Sequence, residues 1–331
     1  MKNDTDITVI IPAYNAEKTI ERCIDSIIGQ TLSPKEIIII NDGSTDNTIK
    51  KLKKYINHPS IRIFNKSNEG VSIARNYGLD RVRTKYVTFV DSDDYVNDNF
   101  LKVLMENYHK SKNIDLSICG VTHYNEPKQP KIYNTKYEEG IYDSNGMIDY
   151  LLRPNSPQGY LCNKLWKMDI INHYNLRLDS RLNMAEDLLF TITYLLKARN
   201  IFVSNSCLYN YMHYPNSLSS GLVTINENNF IRTNEDFLIV CKKIKNMSPN
   251  IKIKKDAAVF FARNASFFLR QLNVLNDGHE QLKKRLLWEC KKNLKYVLFS
   301  NTMNIKNKLA YISVIYFSPL ILSYDRHRGN E

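Results

Sequence analysis

The sequence is short of the features that staple a chain, hinge it or thread it through a membrane. Its six cysteines (Cys23, Cys119, Cys162, Cys207, Cys241 and Cys290) are scattered and form no CxxC pair. That argues against a zinc ribbon or a disulfide framework and predicts reduced, mostly buried thiols. With 11 glycines and 10 prolines in 331 residues, the composition does not support a long disordered linker. No window reaches the roughly 20 apolar residues that a membrane-spanning helix needs. The most apolar run, Leu309 to Leu322, is short and carries Pro319; it can pack on a domain or lie in a membrane interface. Met1 to Asp6 is polar and the run after it is strand-sized, so no secretion signal is expected and the chain is expected to be cytoplasmic. Neither GxxxxGK(S/T) nor GxGxxG occurs, so the common phosphate-binding loops are missing.

What is present is a folded chain, 43% hydrophobic and 24% charged, with an uneven charge distribution. Through residue 236, Lys/Arg and Asp/Glu balance at 28 each. From Phe237 onward there are 18 basic and 6 acidic side chains, which accounts for the whole net charge of +12. A basic C-terminal third suits an anionic partner, a lipid surface or a polyanionic polymer; its alternative is a solvated, lysine-rich helical face.

The first hundred residues alternate two periodicities. Ile7 to Ile11, Glu36 to Ile40, Ile61 to Phe64 and Tyr86 to Val90 read as apolar strands. Ala16 to Ile28, the stretch holding Ile49, Leu52 and Ile56, and Val71 to Leu79 read as helices. This alternation predicts an α/β fold with a mostly parallel sheet covered on both faces. In such sheets ligands bind at the carboxyl ends of the strands. The polar clusters fall at those ends: Asn15, Asp42, Asn68 and Asp91 to Asp94. Leu116 to Val121 reads as a further strand and Asn125 to Tyr142 as a loop or short hairpin. Beyond about residue 226 the pattern is helical, with Ala257, Phe261, Ala265, Phe268 and Leu272 at spacings of three and four, and Lys283 to Phe299 is a basic amphipathic helix.

Asp91-Ser92-Asp93 is the sharpest chemical feature. Two carboxylates two residues apart, just past a buried strand, suit one Mg²⁺ or Mn²⁺, which prefers oxygen ligands and bridges carboxylates to phosphates. Their alternative is a pair of turn acids, although Asp94 can cap the next helix and leave both free. Asp42 is a candidate for the base or ribose of a nucleotide, or for an Asx turn. Arg75 can pair with phosphate or a site aspartate, or be a surface charge.

In order, Thr8-Val9-Ile10-Ile11-Pro12-Ala13-Tyr14-Asn15, Asn41-Asp42-Gly43-Ser44-Thr45-Asp46, Asn68-Glu69-Gly70-Val71-Ser72-Ile73-Ala74-Arg75-Asn76 and Phe89-Val90-Asp91-Ser92-Asp93-Asp94 resemble the family 2 glycosyltransferases. That is the large inverting group with the GT-A fold, including bacterial capsular and cell-surface members. The resemblance is close over the first hundred residues and weaker to about residue 220. It implies that Pro12, Tyr14 and Asp42 line a nucleoside pocket and that Asn68 and Arg75 support the base. Asp91, with Ser92 beside it, would contact ribose or metal, and Asp93 would bind the metal that holds the diphosphate. The implied donor is a UDP-sugar. Met184-Ala185-Glu186-Asp187-Leu188-Leu189-Phe190 resembles the family's Glu-Asp segment, with Ala185 in place of the usual glycine, and makes Asp187 the implied base. The alternative is that Glu186 and Asp187 simply begin a helix. Cys162-Asn163-Lys164-Leu165-Trp166 resembles a segment of capsule-type members. Trp166 is open to stacking on an acceptor sugar or to burial. His213 falls where relatives place a metal or diphosphate contact, against the commoner structural role of a lone histidine. The QxxRW motif of processive synthases is absent, so one sugar is expected per event.

The expectation is therefore a GT-A catalytic domain over 1–225, with 1–100 binding nucleotide-sugar and 101–225 binding acceptor and carrying the base, followed by a basic helical region over 226–331. The expected reaction is inverting transfer of one hexose or N-acetylhexosamine to a hydroxyl of a glycan precursor. The acceptor would be lipid-linked or a polyanionic, teichoic acid-type polymer. Residues 237–331 would touch anionic membrane at its inner face, polymer or a second copy of the chain. A nucleotidyltransferase would need a Gly-rich loop where Pro12-Ala13-Tyr14-Asn15 stands. A non-catalytic module need not retain Asp91, Asp93 and Asp187, and a nucleic-acid binder rests on charge alone.

Overall fold

The structure, a computed structural model, describes residues 5–125, 133–135, 137–153, 156–157, 159–214, 227–274 and 279–316. The chain divides into two compact units, Met1–Leu151 with Asn155–Phe230, and Leu152–Pro154 with Ile231–Glu331.

The first unit is built on a sheet of ten strands. Strands β1 (Ile7–Ala13), β2 (Glu36–Asp42), β3 (Ile61–Lys66) and β4 (Tyr86–Phe89) are all parallel, in the order β3-β2-β1-β4. Every residue of β1 is buried, because a central parallel strand meets helices on both faces. Helices α1 (Ile20–Ile28), α2 (Thr48–Leu52) and α3 (Val71–Leu79) make the crossovers. Gly78 of α3 lies so close to β1 that a Cβ there would meet Ile10 at 2.7 Å. Helix α1 starts later than its apolar spacing predicts. Residues 14–19 form a turn instead, and their backbone is tied to the loop after β2 and the first residue of α2: Asn15 N–H donates to Ser44 Oγ at 3.0 Å, Ala16 N–H to Thr48 Oγ1 at 2.7 Å and Glu17 N–H to Asp46 Oδ2 at 3.0 Å.

Beyond β4 the sheet becomes mixed. Strand β5 (Tyr95–Val96) precedes α4 (Phe100–Asn107), then come β6 (Ile114–Asn125), β7 (Tyr133–Thr135), β8 (Gly140–Asp143) and α5 (Ser144–Leu151). Strand β9 (Lys164–Lys167), α6 (Met168–His173), α7 (Glu186–Leu195) and β10 (Asn200–His213) complete the unit. Strand β9 joins the two halves, antiparallel to both β4 and β6. Strand β10 runs parallel to β6 and antiparallel to β5 and β8. The segment read as a loop or hairpin thus supplies β7 and β8, while 126–132 and 136 lie outside the described residues.

The second unit is helical: α8 (Glu227–Met247), α9 (Ile251–Val274), α10 (Glu280–Leu298) and α11 (Ile305–Tyr316). Ala258, Phe261, Ala265, Phe268 and Leu272 of α9 are buried, as are Leu286, Cys290 and Val297 of α10. Tyr311 of α11 donates its hydroxyl to the Cys290 carbonyl at 2.7 Å. Of the run Leu309 to Leu322, residues 317–322 lie outside the described residues. Among the described residues no helix is long and apolar enough to cross a membrane.

Candidate active site

The loops after β1, β2, β3 and β4 gather at the carboxyl edge of the parallel strands. Pro12 is buried near the end of β1, and Tyr14 beyond it is half exposed. Asp42 ends β2 with its carboxylate buried. Oδ1 accepts from Lys66 Nζ at 2.6 Å and from Glu69 N–H at 3.1 Å, and Oδ2 accepts from Gly70 N–H at 2.8 Å. Asp42 therefore makes no Asx turn; the turn is held instead by Asn41, whose Oδ1 accepts from Ser44 N–H three residues on at 3.3 Å. A carboxylate has about four acceptor positions, so Asp42 keeps capacity for a further donor. Gly43 has φ +72°, and a Cβ there would lie 2.6 Å from the Asn68 nitrogen. That close approach brings exposed Asn68 beside the β2 loop.

Asp91 to Asp94 form a tight turn past β4, with Asp94 N–H donating to the Asp91 carbonyl at 3.0 Å. Asp94 does not cap the next helix, as the sequence suggested. It is buried and accepts from Tyr209 Oη at 2.6 Å and Met212 N–H at 2.8 Å. The Tyr209 hydroxyl in turn accepts from Asp91 N–H at 3.2 Å. Strand β10 thus holds the turn rigid from inside, and burial, with the charges of Asp93 and Asp91, pushes the Asp94 carboxyl far above its usual range. Ser92 and Asp93 are half buried. Burial, and then the Asp91 charge, raise Asp93 to about 6.

Arg75 is not a surface charge. It is buried within α3, donating through Nη2 to Asp91 Oδ1 at 2.6 Å and through Nη1 to Glu186 Oε1 at 3.3 Å. Burial disfavours its charge, but Asp91 and Glu186 outweigh that and raise its pKa. One guanidinium therefore joins the turn after β4 to the start of α7.

Asp187 sits in the first turn of α7, where Leu188 N–H donates to its Oδ1 at 2.7 Å. Burial and then Glu186 drive its carboxyl up to about 7, against the opposing pull of Arg75 and Lys164. A carboxylate titrating near neutrality suits proton abstraction. Ala185, just before, has φ +64° and ψ 20°, the left-handed region that favours glycine.

His213, at the end of β10, has Nε2 3.0 Å from His123 Nδ1. Among the described residues no three His, Cys, Asp or Glu side chains are grouped to hold a metal ion. The adjoining Tyr214 is linked to the acidic turn by Arg22, whose Nη2 donates to the Asp93 carbonyl at 2.6 Å and to Tyr214 Oη at 3.2 Å. Trp166 is fully buried against Phe190 and Tyr194, so it presents no face for a sugar. Sequence reasoning did not single out Lys66 or Tyr209, whose partners Asp42 and Asp91 to Asp94 lie far off in sequence.

A family model described as "Glycosyl transferase family 2" matches residues 8–177. The chain belongs to this family. Among curated relatives, the Bacillus subtilis (strain 168) glycosyltransferase EpsJ is 31% identical over 218 residues, 64% of this chain and 62% of that one. The poly(ribitol-phosphate) beta-glucosyltransferase of Bacillus spizizenii is 31% identical over 271 residues, 79% of this chain and 40% of that one. The match thus spans less than two thirds of these relatives. Among solved structures, residues 1–349 of TarS from S. aureus in complex with UDP superpose with a TM-score of 0.68 at 22% identity, covering 98% of this chain and 91% of that one. The same TarS segment with UDP-GlcNAc gives 0.63 at 22% identity, over 88% and 81%. The fold is therefore GT-A.

Proposed function

We propose that this family 2 chain transfers one hexose or N-acetylhexosamine, with inversion, from a UDP-sugar to a hydroxyl of a cell-surface glycan precursor. The observation that carries the reading is Arg75. It brings the Asp91 turn and the Glu186–Asp187 segment to one site, so a donor-binding side and a proton-accepting side face the same space. Solved TarS complexes with UDP and UDP-GlcNAc favour a UDP-sugar donor, and the poly(ribitol-phosphate) relative favours a phosphate-bearing polymer among acceptors.

The donor's nucleoside lies against Pro12, Tyr14, Asp42 and Asn68, with Arg75 fixing the acids around it. The carboxylates of Asp91 and Asp93 fit a Mg²⁺ or Mn²⁺ ion, since these cations take one or two protein carboxylates and complete their shell with substrate phosphates and water. The Asp91 charge pressing on Asp93 is the repulsion that a cation would relieve. When bound, the cation supplies charge neutralisation for the departing diphosphate. Asp187 takes the acceptor's proton while the hydroxyl oxygen forms the new bond to the anomeric carbon. The bond to the UDP oxygen breaks on the opposite face, and the electron pair leaves with UDP. His213 lies beyond the turn as a candidate diphosphate or metal contact. The basic region 237–331 would meet the phosphate of the acceptor or of an anionic membrane.

The test is UDP release from a panel of UDP-sugars with Mn²⁺ and then with EDTA. One donor should turn over in metal and stop in EDTA. Asp93→Ala should lose metal-dependent UDP binding, whereas Asp187→Asn should bind UDP normally and transfer nothing. Failure of UDP to bind in the presence of metal, or equal loss of UDP affinity in both variants, would overturn the reading.

A further inference from the structure

Lys66 ends β3 at the carboxyl edge of the sheet, yet it has nothing left to offer a ligand. Three oxygens surround its Nζ: Asp42 Oδ1 at 2.6 Å, the Ser67 carbonyl at 2.6 Å and Glu69 Oε2 at 2.7 Å. An ammonium carries three donor hydrogens, so all are taken up inside the protein. The side chains of Lys66 and Asp42 are 10% and 4% exposed, while that of Glu69 is half exposed. A buried ion pair of this kind adds little net stability, because the water stripped from both charges offsets their attraction. What it does determine is how Asp42 faces.

Both lone pairs of Asp42 Oδ1 are engaged, one by Lys66 Nζ and one by Glu69 N–H at 3.1 Å. Among the described residues Oδ2 accepts only from Gly70 N–H, at 2.8 Å. A carboxylate oxygen accepts about two hydrogen bonds, so the acceptor position that remains is on Oδ2. Asp42 and Lys66 are register partners in the pairing of β2 with β3, so the arrangement is set by the sheet and not by a loop. Gly70, whose N–H holds Oδ2, has open space next to it: a Cβ there would meet nothing within 4 Å.

Pyrimidine bases differ at the atom such an oxygen would meet. Uracil presents N3–H, a donor, whereas cytosine presents N3 as an acceptor. An oxygen pinned as an acceptor bonds the first and is left facing a lone pair by the second.

We propose that Lys66 is a positioning residue for base selection: it pins Asp42 so that the open position on Oδ2 meets a pyrimidine N3–H, which admits uracil and rejects cytosine. The proposal rests on the nucleoside lying against Asp42.

Binding of UDP and of CDP to the full chain in Mn²⁺, read by titration calorimetry, tests it. The two ligands share ribose and diphosphate, so the ratio of their affinities isolates the base. Wild type should bind UDP about tenfold tighter than CDP, the discrimination expected of one good polar base contact. Lys66→Met should weaken UDP about tenfold and leave CDP unchanged, because CDP never used the contact. Lys66→Arg, which can still donate to both acids, should restore the preference. A merely structural lysine would lower both affinities together. That outcome, equal binding of UDP and CDP by wild type, or a ratio unaltered by Lys66→Met overturns the role. Asp42→Asn separates this role from the reading beneath it. If Asp42→Asn abolishes the preference while Lys66→Met keeps it, Asp42 reads the base and the role of Lys66 falls alone. If Asp42→Asn keeps it too, the nucleoside lies elsewhere and both fall. Should Lys66→Met not fold, Lys66→Gln against Lys66→Arg makes the same comparison.

Discussion

At the scale of single residues, Ala185 shows how a small departure from a family pattern is felt in the backbone. An L-residue in the left-handed region costs about 1–2 kcal/mol, and glycine removes that cost while adding some unfolded-state entropy. Ala185→Gly is therefore expected to stabilise the chain by about 1 kcal/mol, a rise of about 2 °C in a thermal melt, without weakening UDP binding. A lower Tm would show that the Ala185 methyl, buried at 4% exposure, contributes more by packing than it costs in conformation. Several members of the candidate site were legible at this scale as candidates. Asp91 and Asp93 were offered as a cation site by their spacing, and Asp187 as a base only by the resemblance of its segment to the family's Glu-Asp motif. Arg75 was visible as a charge but not as a bridge, because its partners come from β4 and α7. Tyr209 was not legible as a support of the acidic turn, since a buried tyrosine hydroxyl finds its partners only in the tertiary fold.

At the scale of elements, the parallel half was readable because β1, β2 and β4 are almost wholly buried and apolar, while β3, at the end of the sheet, is partly exposed and still reads as a strand through Ile61, Ile63 and Phe64. Strand β10 was not. Its 14 residues mix asparagine, serine, tyrosine and histidine, and its pairing with β6 shifts register at Val203/Cys207 and Cys207/Tyr209. Such a strand has no clean period. It still fixes the acidic turn, through Tyr209 and Met212, which places that turn against the second half of the sheet. The start of α7 is fixed from another side by Gly159. Gly159→Ala would force a methyl into the Leu188 backbone, and overpacking of this kind costs about 1–3 kcal/mol. The expected result is a lower Tm and slower UDP release with UDP affinity retained. An unchanged Tm would mean that the Gly159 segment and α7 separate freely.

At the scale of the whole molecule, the charge asymmetry acquires a surface. Around the turn from α10 to α11, Phe299 and Ile305 are 86% and 75% exposed, with Lys295 and Lys306 exposed on either side. Large apolar side chains flanked by lysines suit an anionic lipid interface, where burial and electrostatic attraction add. The full chain is expected to co-sediment with vesicles containing phosphatidylserine at low salt and to be released at high salt, and Phe299→Glu with Ile305→Glu should abolish sedimentation. Sedimentation unaffected by those substitutions would place the contact elsewhere; none at low salt would favour a polymer or a second copy as the partner.

The Arg75 bridge has a consequence for how such a protein can change over generations. Because one guanidinium answers both Asp91 and Glu186, neither acid can be exchanged without leaving the other facing a cation tuned for two. A replacement of the segment around α7 that removes Glu186 would leave Arg75 answered by Asp91 alone, so the turn after β4 would have to change with it. The two halves of the site are free to diversify in their loops, but at this joint they are bound to covary.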